Sequence, residues 1–357
     1  MTRLIPIIAL LVALGSDHVQ AAPVTEQPPA QTETARALSV GAAVVPGLLV
    51  HGLGHLTAGE TETGYALLAM EAVGVGLTLG GITGLALTGA AHEWVTPSIG
   101  LTGAGVGLFV GSYLLDVYGV INPDGGFGAP PAALPWATVH MGYRHVVDPV
   151  RAIDGLMVVG GRLSMGPIAL TPTLWRTPDG TDQRMEFGAT YRLWGPPQER
   201  WGHAIDLDTA LVRHRNDPGG FAINTGEVVL TGRWDMGALA RTLTGAYTRA
   251  GFGLAGGVID YDDIGQEPTS LLLMRFEMGV FLGRGPTPRG LLVLYYDHRH
   301  DGYAAGMKST GVGSGPLGHV GARLDLDVWG PWGLTASVEG GSALVSGLSL
   351  SWKGVRQ

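Results

Sequence analysis

A period-two alternation of apolar and polar residues, repeated through residues 135–357, constrains this chain most. Met185, Phe187, Ala189, Tyr191 and Leu193 alternate with Glu186, Gly188, Thr190, Arg192 and Trp194. Leu272, Met274, Phe276, Met278, Val280 and Leu282 alternate with Leu273, Arg275, Glu277 and Gly279. Val320, Ala322, Leu324, Leu326 and Val328 alternate with His319, Gly321, Arg323, Asp325 and Asp327. Successive strand side chains point to opposite faces, so each run has one apolar and one polar face. Runs of nine to eleven residues also match the length a tilted strand needs to cross a bilayer. Weaker runs occupy 136–147, 153–164, 167–176, 202–214, 225–235, 238–249, 251–261, 289–300, 332–341 and 343–352, which makes thirteen candidates. Single-chain membrane barrels close with an even number of strands; we adopt twelve, with ten to fourteen as the range.

The segment resembles a bacterial outer-membrane β-barrel. Turn residues punctuate the runs (Asp148-Pro149, Pro178-Asp179-Gly180, Asp217-Pro218-Gly219-Gly220), and Trp136, Trp175, Trp194, Trp201, Trp329, Trp332 and Trp352 lie near run ends, where an interfacial girdle requires them. Leu348, Leu350 and Trp352 share a face of the last run, which resembles the closing strand by which such barrels are recognised; five residues follow Trp352. That resemblance implies outer-membrane lipid and the barrel-assembly machinery as partners. With the apolar face on lipid, the lumen receives Arg144, Arg162, Glu186, Arg192, Asp206, Asp208, Arg233, Arg275, Glu277, Arg323, Asp325, Asp327 and Glu339. Charges of mixed sign either knit a lumen shut or line a weakly selective pore. A soluble two-sheet sandwich would alternate similarly with its apolar faces inward.

Residues 37–122 follow a different pattern. Ala37 to His55, Gly64 to Ala90 and Ser98 to Ile121 are apolar stretches, each long enough to cross a bilayer as a helix. Gly76, Gly80 and Gly84 recur every four residues, as do Gly103, Gly107 and Gly111, a spacing that predicts two helices packed closely as a hairpin. No Lys or Arg occurs between Ala37 and Tyr143, so the basic flanks that orient inner-membrane helices are missing. His51 and His55 share a helix face, and Glu71 and Asp116 interrupt apolar helices. Their simplest joint role is a polar cluster that fixes helix packing; a metal or proton site, with His51 and His55 as its imidazoles, is the sharper alternative. The run from Pro46-Gly47 through His55, Gly59 and Gly64 loosely resembles a Pro-Gly-x-Gly-His helical hairpin of small bacterial membrane domains, which implies no activity.

Arg3, the apolar Leu4 to Leu14 and the small residues around Ala21 predict a signal peptide over 1–21, followed by a Pro-rich disordered linker over 22–36 and a second linker over 123–134. The absence of Cys excludes disulfides and thiolate chemistry, and a net charge of −8 without a basic cluster argues against nucleic-acid binding. No cofactor motif occurs, and the sequence leaves the oligomeric state open. His298, His300 and His319 share the parity assigned to the lumen and are the only catalytic candidates. Outer-membrane lipid hydrolases carry a His-x-Ser-Asn-like run where this chain has His298-Arg299-His300-Asp301, without a Ser nucleophile. The sequence thus points to a non-enzymatic outer-membrane barrel with a structural or small-solute passage role. An envelope-lipid hydrolase and an inner-membrane-anchored periplasmic β-domain stay open as alternatives. The helices could plug the lumen, lie beside the barrel or sit at its mouth.

Overall fold

The computed structural model describes residues 33–89, 92–122, 128–131, 133–147, 155–218, 220–262, 265–283, 289–298, 318–341 and 343–354. The signal-peptide segment, most of the first linker and His300 lie outside them.

Twelve antiparallel strands close into one barrel: β1 (Ala137–Val147), β2 (Gly155–Met165), β3 (Ile168–Arg176), β4 (Asp182–Trp194), β5 (Ala204–Asn216), β6 (Phe221–Asp235), β7 (Ala246–Tyr261), β8 (Gly265–Leu282), β9 (Gly290–Asp297), β10 (His319–Trp329), β11 (Trp332–Gly340) and β12 (Leu344–Gly354). Each pairs with its sequence neighbours, and β1 meets β12 from Ala137↔Gly354 to Val147↔Leu344. Closure satisfies every strand edge, which a lipid environment demands. The apolar parity faces outward: Val139, Met141, Phe187, Leu211, Leu254, Val320, Leu348 and Leu350 are all exposed, whereas the opposite parity carries most of the charged strand residues. A soluble sandwich is therefore excluded.

Thirteen candidate runs become twelve strands because 238–249 is not a strand of its own. Two 3-10 turns, Met236–Ala238 and Arg241–Leu243, occupy its start, and its end is the first part of the sixteen-residue β7. Asp235 caps the first turn by accepting from the Gly237 N–H at 2.9 Å.

Two helices form the expected hairpin: α3 (Thr61–Leu87) and α4 (His92–Ile121). The glycines that let them approach match those the spacing suggested only in part: a Cβ on Gly84 would stand 2.8 Å from Ser98 Oγ of α4. A Cβ on Gly74 would stand 2.8 Å from Gly105 O, whereas Gly76 and Gly80 face open space. Gly103, Gly107 and Gly111 turn away from α3, toward Met274 and Phe276 on the outward face of β8. The hairpin therefore lies against the outer wall of the barrel. Leu67, Leu115, Tyr118, Leu243, Ala246 and Met278 form a buried apolar cluster at this seam, and the Tyr118 hydroxyl donates to Thr244 O at 2.9 Å.

The first apolar stretch is not one crossing helix. A short α1 (Glu33–Val44) begins inside the segment read as linker, Pro46 opens a 3-10 turn, and the chain doubles back through α2 (Leu53–Thr57). Proline cannot continue the helical ladder, and Gly52 at φ +85° turns the backbone where a side chain would meet Gly64. Arg36 donates to Ile121 O at 2.6 Å while Tyr113 donates to Val44 O at 3.3 Å, so α1 runs antiparallel to the end of α4 before returning.

Candidate functional site

The four polar residues singled out within the helices converge on this re-entrant turn. Turning back inside an apolar environment strips backbone N–H groups of helical partners, and each orphan donor is costly. Asp116 on α4, fully buried, accepts from the N–H groups of Gly52 at 2.9 Å, Gly54 at 3.1 Å and His55 at 3.1 Å, and from His55 Nδ1 at 2.6 Å. Glu71 on α3 accepts from the His51 N–H at 2.8 Å, and His51 Nδ1 pairs with Ser112 Oγ at 2.7 Å. The two carboxylates replace the missing ladder, which explains why charge persists in apolar helices.

His55 carries the network onward to the barrel. Its Nε2 lies 3.4 Å from Thr242 Oγ1 on the turn before β7, and Thr242 donates to Glu60 at 3.2 Å. Gly119 makes room for the ring, since a Cβ there would overlap it. Asn122 adds a bond from its side-chain amide to Thr242 O at 3.2 Å. The cluster is thus a joint between hairpin and barrel. Among the described residues no group of three or more His, Asp or Glu is arranged to hold a metal ion.

The lumen is the larger candidate site. Arg192, Asp206, Asp208, Arg233, Arg275, Glu277, Arg323, Asp325 and Asp327 all sit on the inward parity, in three layers. Nearest the strand end that carries both barrel termini, Arg192 pairs with Asp206 at 2.5 Å, and Gln198 accepts from Arg192 at 3.0 Å and from Arg162 at 2.8 Å. Lys353 pairs with Asp327 in the same layer. Gln198 belongs to the 195–203 connection, which folds inward across this mouth. Trp201 of the same connection stacks edge-on against Tyr247 (4.9 Å) and Phe281 (4.7 Å), donates to Asp235 at 3.1 Å, and lies under the Arg233 guanidinium at 4.4 Å.

In the middle layer, Asp208 accepts from Thr190 and Thr231 at 2.6 Å each and from Arg249 at 2.8 Å. Tyr247 donates to Glu277, and Arg323 pairs with Asp325 at 2.9 Å. At the opposite end Arg275 bridges Glu227 (2.9 Å) and Asp297 (3.3 Å), while Glu339 accepts from Tyr295 at 2.6 Å and Arg144 at 3.4 Å. Packing tightness differs along the axis. Arg192 is 3% exposed, whereas Arg249 and Arg323 keep 33% and 41% of their side-chain surface open within the barrel.

Sequence reasoning missed Arg249, Glu227 and Gln198, and Trp201, read from its place near a run end as part of an interfacial girdle, lies instead inside the mouth against Arg233, Tyr247 and Phe281. Arg249 and Glu227 fall on the inward parity once the true strand bounds are known; the two loop residues carry no periodic signal.

Of the three candidate histidines, His298 and His319 are described, and these two do not share a face. His319 opens β10 on the inward side, but His298 follows the outward-facing Tyr296, whose hydroxyl pairs with His298 Nδ1 at 2.8 Å. Its predicted inward parity is therefore wrong: Asp297, its neighbour, is the residue whose side chain reaches the lumen to meet Arg275. Burial pushes the His298 imidazole below its ordinary pKa, with Asp297 pulling the other way.

No family model and no curated protein matches the sequence. Solved structures of similar fold include the KdgM porin in complex with disordered oligogalacturonate (TM-score 0.37, 8% identity, 61% of this chain and 99% of that one). Two others are the translocator domain of the autotransporter NalP from Neisseria meningitidis (0.35, 10%, 63% and 89%) and the Acinetobacter baumannii outer membrane protein Omp33 (0.32, 9%, 63% and 100%). The likeness is one of fold: like these outer-membrane proteins, the chain forms a closed antiparallel β-barrel.

Proposed function

We propose that the protein is a non-enzymatic barrel of the outer membrane that passes small polar solutes through a narrow lumen, with both barrel termini on the periplasmic side. The observation that carries this reading is the hairpin's position. Packed outside, it leaves the interior to polar side chains, among which Arg249 and Arg323 keep part of their surface accessible. Eight strands enclose little more than their own side chains and sixteen leave a wide channel; twelve fall between. Inward charges of both signs, mostly paired, favour weak ion selectivity. Export by a signal peptide, and recognition of β12 by the barrel-assembly machinery, belong to the same reading.

In a planar bilayer the purified protein should give small discrete conductance steps and a reversal potential near zero in a salt gradient. Trp201→Ala removes the ring from the narrowed mouth and should enlarge each step about twofold or more. A protein whose gel mobility shifts on boiling, as a closed barrel's does, but which stays silent with and without Trp201, would refute passage.

A further inference from the structure

We propose that the outer wall over β3 to β6 binds a phosphorylated lipid, holding its headgroup on Arg176, Arg213 and Arg215 and one acyl chain in the notch at Gly226. Placing this site in the outer leaflet rests on the orientation given above. Among the Arg and Lys residues on the described strands, these three alone face outward, and all lie at the barrel end remote from the termini. The register sets them side by side: Arg176 aligns through Gln183 with Arg215, and Arg213 is two residues further along β5. Strand spacing puts Arg176 about 10 Å from Arg215, and Arg213 about 7 Å from Arg215. That triangle suits two phosphate groups, and guanidinium binds phosphate in bidentate fashion.

Arg213 and Arg176 have no ion-pair or hydrogen-bond partner among the described residues, and the Arg176 guanidinium lies over the turn at Gly180. Arg215 pairs with Asp217, both well exposed at 67% and 47%. Unpaired outward charge is tolerated close to the bilayer surface and costly toward its centre, so these guanidiniums mark the headgroup level. In a chain of net charge −8, such a cationic patch is a local reversal of sign.

Directly below it, the outward row Phe187, Leu211, Gly226 and Gly256 contains two adjacent residues without side chains. The result is a groove of about 440 Å³ lined by Met185, Phe187, Leu211, Arg213, Asn224 and Gly226. Cation above and apolar groove below is the pattern a phosphorylated acyl lipid complements.

The test titrates the full chain, in dodecyl maltoside micelles, with a fluorescent diphosphoryl lipid A. Saturable binding is expected, weakened at least tenfold in Arg176→Gln/Arg213→Gln. Gly226→Val fills the groove without a clash, since a Cβ there meets nothing nearer than 3.9 Å, and should weaken binding about threefold or more. Fluorescent phosphatidylcholine should bind more weakly and ignore the arginine changes. Equal affinity for phosphatidylcholine, unchanged binding in the variants, or equally strong competition by inorganic pyrophosphate would each overturn the site. A boiling-dependent gel shift is read on every sample. Its loss in the unaltered protein would strike at the barrel itself, whereas an intact shift with unaltered binding overturns only the lipid site.

Discussion

Replacing Asp116 with Ala should cost about 3–5 kcal/mol of stability, because it leaves the Gly52, Gly54 and His55 N–H groups and the His55 ring without their acceptor inside an apolar environment. The loss should be local. The twelve-strand ladder does not run through Asp116, so the boiling-dependent gel shift should survive while α1 and α2 become open to protease in detergent. Asp116→Asn keeps one acceptor oxygen and should lose roughly half as much. Ala at the exposed Glu62, near the start of α3, is the matched control and should change little. An Asp116→Ala protein as protease-resistant as the original would show that the carboxylate does not hold the re-entrant turn.

A second large effect follows from the hairpin's place on the wall. The chain has no cysteine, so an engineered pair reports one contact without background. Gly107→Cys with Phe276→Cys joins α4 to the outward face of β8, where a Cβ on Gly107 would stand 3.0 Å from the Phe276 ring. Oxidation should cross-link nearly all molecules. Gly107→Cys with Arg275→Cys, one residue away on the lumen side, should stay reduced. Cross-linking of the second pair and not the first would mean that the hairpin plugs the lumen.

The barrel was largely legible because alternation is a direct image of the strand's two faces. Met185 to Leu193 and Val320 to Val328 declared their lipid side without reference to any other residue. The 238–249 run misled because Met236 to Leu243 is rich in apolar residues yet forms two 3-10 turns, held by the Asp235 cap and by packing against α4, neither of which is periodic. For the helices, the glycine spacing announced close packing but not its partner. Gly107 reads the same whether it faces a helix or Phe276. Of the polar cluster, His51, His55, Glu71 and Asp116 were each visible as misfits in apolar sequence. What Asp116 accepts from could not be read, because three of its four donors belong to the backbone. His298 was misplaced because a parity carried past the strand's end has no neighbouring strand to confirm it.

The seam between α4 and the barrel also sets an order of events. Tyr118 and Asn122 bond to residues 126 and 120 positions further on, and the outward faces of β7 and β8 that receive the glycines exist only once those strands are paired. On the export route proposed above, the hairpin is delivered first and its docking wall much later, and contacts so distant in sequence form slowly. The hairpin must therefore wait, with its apolar surface exposed, until the second half of the barrel has been built. Docking of α4 should be among the last steps of folding.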